Sequence, residues 1–157
     1  MNLRIDNQQA HYPLDQSRIE ALSRELATLA FRRIPTVCWS HITIILTDSN
    51  GIQSYKEAAF GYREVTDVVT LCYAPSPVDP AHEGELFINV ERAFTFPKRP
   101  GWSAMHELAL YIAHGFDHLT GADDDTPTEQ KRMRRREQRW LRTPICRNIL
   151  LALSQDT

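Results

Sequence analysis

A chain of 157 residues, 42% hydrophobic and 24% charged, can bury one core, and a single domain over 1–157 is the expected count. A formal charge of -2 and a pI near 6.3 exclude a global electrostatic pull toward nucleic acid, so any such binding has to come from a local patch. Cys38, Cys72 and Cys146 are odd in number and have no paired spacing, which argues against a disulfide framework and a cysteine zinc site and fits a reducing cytoplasm. The opening segment MNLRIDNQQAHYPLD lacks the apolar core of a signal peptide, and no run approaches the roughly 18 apolar residues of a membrane span, so a soluble protein is expected.

In chain order, residues 2–6 can form a short first strand. Asp15 is placed as the N-cap of a helix with Ile19, Leu22, Leu26 and Leu29 along one stripe, ended by Pro35. The β-branched run HITIILTD, 41–48, reads as a strand closing at the turn signal Ser49-Asn50-Gly51, with a short helix following through Tyr55 and Ala59. DVVTLCY, 67–73, is largely apolar and is therefore expected to be a strand buried on both faces. A proline-rich loop leads to a third strong strand, ELFINV, at 85–90. Pro97, Pro100 and Gly101 break the chain before an apolar helix for which Ser103 is the N-cap. Pro127 and Thr128 open another helix through Leu141, and Pro144 separates it from a short last one. Helices at both ends and around a few strands predict one α+β domain built on a small mixed sheet.

The stretch from Ser103 to Asp125, SAMHELALYIAHGFDHLTGADDD, concentrates residues with chemistry to offer. His114 and His118 stand four apart on the apolar helix, one turn from each other on the same face, so their imidazoles can converge on one ion. Gly121, able to adopt the left-handed conformation at a helix C-terminus, turns the chain back and brings an acid to the third position. His114, His118 and Asp124 are thus candidate ligands of an open metal site, and two imidazoles with one carboxylate suit Zn2+ with a fourth position left for water. Asp123 and Asp125 are candidates to hydrogen-bond the ligating imidazoles, the alternative being a solvated turn that caps the helix. Asp117, at i+3 from His114, either points near the ion or lies at the surface. His106 sits about 12 Å up the axis from His114, too far to share an ion. His11, His41 and His82 are assigned core or supporting positions. An ion so held acidifies its water and polarises a phosphoryl or carbonyl oxygen, which makes hydrolysis the reaction class.

KRMRRREQRWLR, 131–142, sets seven basic residues against one acid, Glu137. On a helix Met133, Trp140 and Leu141 would face the core while the arginines fan out. Such a face is most often merely solvated. Here it follows the candidate metal site directly in a chain that is otherwise net acidic, and it is a candidate contact for a phosphate backbone, with Arg135 and Arg139 assigned to substrate. Phe60, Tyr62 and Tyr73 are candidates for base stacking, although core packing accounts for them as well.

HGFDHLTGADD resembles the signature HGxLHLxGxDH of the YbeY family of bacterial rRNA-maturation endoribonucleases, matched at His114, Gly115, His118, Leu119, Gly121 and Asp123. TDVVTL at 66–71 is similar to the family's TDVLSF strand, EGELFINV at 83–90 to its LGDIVI strand, and ITIILTDSNGIQSY to its strand-then-helix segment. The resemblance implies an α+β fold, a metal ion such as zinc, a role in small-subunit rRNA processing, and the small ribosomal subunit as partner. Four positions depart from it. Asp124 stands where the family has its third histidine, adding negative charge that weakens the ion's pull on its water. Asp117 replaces an apolar residue. The family's Asn and Arg ahead of the TDVLSF strand fall on Lys56 and Phe60, and Phe60 cannot supply a guanidinium fork to a phosphate. Arg63, three residues on, is the candidate substitute.

Three function classes follow. The first is a metal-dependent single-strand endoribonuclease. The second is a catalytically impaired member that binds zinc and meets RNA or the ribosome through its basic helix. The third and weakest is a zinc metalloprotease, whose motif has a similar ligand spacing but requires a Glu at the position of Gly115.

Overall fold

The computed structural model describes residues 1–78, 80–96 and 101–155. In chain order the elements are β1 (Asn2–Asn7), α1 (Gln16–Phe31), β2 (Trp39–Thr47), α2 (Ser49–Phe60), β3 (Val68–Tyr73), β4 (His82–Asn89), α3 (Val90–Thr95), α4 (Ala104–Leu119), α5 (Pro127–Leu141) and α6 (Pro144–Gln155). The strands form one mixed sheet in the order β1-β2-β4-β3, in which β1, β2 and β4 run parallel and β3 is antiparallel to β4. The α+β architecture on a small mixed sheet is therefore the one expected from sequence.

Side-chain alternation along the strands divides the interior in two. Ile42, Ile44, Leu46, Leu86 and Ile88 point to the face covered by α1, α4 and α6, where they join the main core with Leu22, Leu26, Ile112 and Phe116. Ile45, Phe87 and Val69 point the other way, onto Ile52 of α2. Helix α4 lies at the centre of the main core. It approaches β4 so closely at Gly115 that a Cβ there would stand 2.9 Å from Cδ2 of Leu86. The apolar helix thus needs a residue without a side chain facing the sheet, and the two histidines emerge on its flank, about 60–100° around the helix from Gly115.

The caps at Asp15 and Ser103 form as expected, each side chain accepting a backbone N–H in the first turn of its helix. Several local expectations do not hold. Ser49-Asn50-Gly51 is not a separate turn: Asp48 accepts the Gly51 N–H at 2.7 Å, and the three residues become the first turn of α2. The 67–73 strand is not buried on both faces. β3 is the edge of the sheet, Val69 is its one buried residue, and Cys72 and Tyr73 are exposed. β4 stops at Asn89, whose side chain caps α3 by accepting from the Arg92 N–H at 3.1 Å, so Val90 is helical. His11 and His41 are exposed, and His82 leans on Trp39 at the sheet's rim, so none of the three supports the candidate metal site. Pro97 and Pro100 lie outside the described residues. Among the described residues no helix is long and apolar enough to cross a membrane.

Candidate metal centre and its cleft

His114 and His118 project from the C-terminal end of α4 with their Nε2 atoms 3.0 Å apart and their rings edge to face. Thr120 closes the helix, Gly121 takes a φ of 81°, and the returning chain carries Asp124 to the imidazoles. Its Oδ2 lies 3.5 Å from His114 Nε2 and its Oδ1 3.7 Å from His118 Nε2. A tetrahedral ion with bonds of about 2.0–2.1 Å holds its ligand atoms roughly 3.3 Å apart, and the three separations bracket that value. One donor atom from each residue falls within 4.8 Å of the others, a group able to bind a metal ion.

The other ring nitrogens decide which way the lone pairs point. His114 Nδ1 lies 2.7 Å from Glu137 Oε1, and His118 Nδ1 lies 3.0 Å from the Ala122 carbonyl oxygen. Each acceptor holds a ring proton on Nδ1, leaving Nε2 as a bare donor aimed at its neighbour and at the carboxylate. No cationic side chain among the described residues bridges these converging lone pairs. A cation in the middle is what the donor set fits.

Glu137 is the residue that sequence reading passed over. It is 1% exposed and sits on α5, on the same stripe as buried Met133, Trp140 and Leu141. An acid on the apolar face of a basic helix was the available signal. Its placement depends on the next residue back: Arg136 grips Asp117 of α4 through paired contacts of 2.7 to 2.9 Å, and Arg33, just beyond α1, adds a bond of 2.7 Å to the same carboxylate. Asp117 is fully buried in this network, so it neither approaches the imidazoles nor lies at the surface. Asp123, expected to orient an imidazole, is exposed and accepts the Asp124 N–H at 2.8 Å, shaping the turn. Asp125 is also exposed, and the imidazole partners are Glu137 and Ala122 instead.

His114, Asp124 and Glu137 border an open cleft of about 540 Å³. Lys131, Arg134 and Arg135 of α5 line one side, Asp67 and Tyr111 the other. Arg92 of α3 pairs with Asp67 at 2.5 Å. Burial, with the Asp67 and Glu107 charges nearby, pushes the Tyr111 hydroxyl well above the usual tyrosine range, so it stays protonated and keeps a proton to donate toward a ligand. Of the other residues assigned to substrate, Arg139 is exposed on α5 outside the lining of this cleft, and Arg63 is also outside it, paired with Glu57 at 2.7 Å. Phe60, Tyr62 and Tyr73 are 53%, 53% and 46% exposed, so core packing does not account for them.

A sequence model of the family described as Endoribonuclease YbeY matches residues 4–144. The chain belongs to the YbeY family. Endoribonuclease YbeY of Moorella thermoacetica is 29% identical over 147 residues, covering 88% of this chain and 94% of that protein. Its counterpart in Thermus thermophilus is 31% identical over 102 residues, covering 64% and 73%. The fold is similar to the solution structure of a Thermotoga maritima protein, with a TM-score of 0.54 at 19% identity over 98% of this chain and 92% of that one. Membership in the YbeY family supports a nuclease role and RNA as the partner. Against the family signature, Asp124 keeps a donor at the third ligand position and Asp117 turns the apolar position into a buried ionic anchor. Phe60 leaves the exposed end of α2 without a guanidinium.

Proposed function

We propose that this YbeY family member is a metal-dependent single-strand endoribonuclease of rRNA maturation, a single hydrolase domain over 1–157 acting on small-subunit rRNA in the cytoplasm. The reading rests on one observation above the others: two imidazole Nε2 atoms and a carboxylate converge with their protons held elsewhere, by Glu137 and by the Ala122 carbonyl. In this reading His114, His118 and Asp124 hold zinc. A bound zinc ion would polarise a phosphodiester oxygen and acidify a water, the chemistry an RNA hydrolase needs. The chain's own part is positional. Glu137 keeps the His114 proton on Nδ1, Asp123 holds the turn that presents Asp124, and Arg134 and Arg135 offer forks to the phosphates on either side of the scissile linkage. Arg139 and Arg63 then serve strand outside the cleft.

A second reading, a catalytically impaired zinc protein that binds RNA or the ribosome, is favoured by Phe60 and by the extra negative charge of Asp124. The metalloprotease reading loses ground on geometry. A side chain at position 115 would point into Leu86 rather than toward the ion, so a general base has no place there.

The test is elemental analysis of purified protein, wild type and Asp124→Ala, with single-stranded RNA cleavage assayed on the same samples. Near-stoichiometric zinc, reduced in the variant together with cleavage, supports the ribonuclease. Zinc without cleavage selects the second reading. A cleavage rate unchanged in His114→Ala would sink the scheme.

A further inference from the structure

The basic residues of α5 reach beyond the cleft. At about 100° per residue, Lys131, Arg135, Arg139 and Arg142 fall on one stripe of the helix. The side chains of these four have no ion-pair or hydrogen-bond partner among the described residues, whereas Arg136, on another face, is taken up by Asp117. The stripe starts beside the metal centre and ends at a second cavity of about 390 Å³, where α5 meets α6 and the start of α4. Leu141 and Leu150 are its buried part and Trp102 lines it, with the indole 5.7 Å from the His106 ring, whose Nδ1 is engaged by Ser103 Oγ. The exposed Arg142 and Arg147 stand at its rim, and the Arg147 side chain is likewise unpartnered among the described residues.

An apolar hollow with an indole on one wall and two free guanidinium groups at the edge matches a ligand with a flat aromatic face and a negative charge. We propose that this groove is a second RNA subsite, taking one nucleotide of the strand whose scissile linkage lies in the metal cleft, with its base against Trp102 and its phosphate between Arg142 and Arg147. The inference rests on the ribonuclease reading. Arg135 and Arg142 are about 10 Å apart along the helix axis, so a strand leaving the cleft follows the basic stripe and reaches the groove within a few nucleotides. Stacking on one aromatic platform is tolerant of sequence, so the subsite lengthens the footprint without selecting a base.

The experiment is the affinity of the full chain for two single-stranded RNAs, one of about four nucleotides that fills the cleft and one of about twelve that also spans the groove, over a salt series. Trp102→Leu and the double variant Arg142→Gln, Arg147→Gln are each expected to weaken the longer RNA roughly tenfold and leave the shorter one unchanged. The double variant alters exposed positions only, which guards against misfolding. It should also flatten the slope of log affinity against log salt by about 0.7, the value for one phosphate contact on a single strand. Unchanged affinity and slope for the longer RNA, with Arg135→Gln still weakening both, would overturn the groove and keep the ribonuclease reading, leaving the hollow to an acidic protein segment. Failure of the wild type to bind either RNA would overturn both.

Discussion

Glu137 shows how one buried carboxylate sets the orientation of a neighbouring imidazole. With its Oε1 2.7 Å from His114 Nδ1 it fixes the ring's tautomer and orientation. Glu137→Gln keeps an acceptor but removes the charge, and it is expected to weaken zinc binding about tenfold, the lower end for such supporting residues. Competition with a chromogenic chelator measures this; an affinity equal to wild type would separate Glu137 from the metal. The convergence of the three candidate donors was legible in the sequence because it is nearly local: His114 and His118 are one helical turn apart, and Gly121 announces the return to Asp124. Glu137 was not, since nothing in the order of residues says which turn of a later helix will face His114. Asp117 failed for the same reason. An acid in an apolar helix reads as a defect until Arg136 and Arg33 are placed around it.

Contacts between elements determine whether that local arrangement persists. The Asp117–Arg136 pair, joined by Arg33, ties α4, α5 and the end of α1 together beside the metal centre. Asp117→Ala leaves two guanidinium groups facing a buried vacancy. Both arginines are partly exposed and can turn toward water, so the expected loss is about 3 kcal/mol, the low end for breaking a buried ion pair. Urea unfolding measures it, and Asp117→Leu combined with Arg136→Leu should recover most of the loss. At the sheet edge, the Tyr73 hydroxyl donates to Glu85 Oε2 at 2.7 Å, and that bond raises its pKa from 10.0 to about 12. The folded state therefore favours the protonated phenol, and its contribution is complete below pH 10 and lost as pH rises toward 12. Tyr73→Phe is expected to be less stable than wild type by up to about 1 kcal/mol near neutral pH, since the pair is solvent-exposed, and to match it near pH 12. A difference that persists at the alkaline end would assign the loss to packing. Strand and helix positions were largely readable from periodicity and caps, but strand rank was not. An apolar run such as DVVTLCY suits an interior strand and an edge strand alike, and only the order β1-β2-β4-β3 decides. Ser49-Asn50-Gly51 was ambiguous in the same way, since residues that favour turns also favour the first turn of a helix once Asp48 caps it.

For the molecule as a whole, an ion at the candidate site would link metal binding to folding. The donors of the candidate site come from α4 and the turn after it, and Glu137 brings in α5, so an ion bound there stabilises their docking. Zinc at a free concentration a hundredfold above its Kd adds about 2.7 kcal/mol, which for a domain of this size raises Tm by roughly 5–10 °C. Calorimetry with zinc and with a chelator reads this shift, which His114→Ala should abolish. The strand order carries a consequence for synthesis. β1 and β2 can pair as soon as both have left the ribosome, but among the described residues β3 has β4 as its sole strand partner, and β4 is made after it. The nascent chain therefore holds an unpaired apolar strand until residue 89 emerges, while α2, made just before β3, is at hand to shield Val69. The helices that build the candidate metal site come later still, and they dock on a sheet whose four strands are already paired.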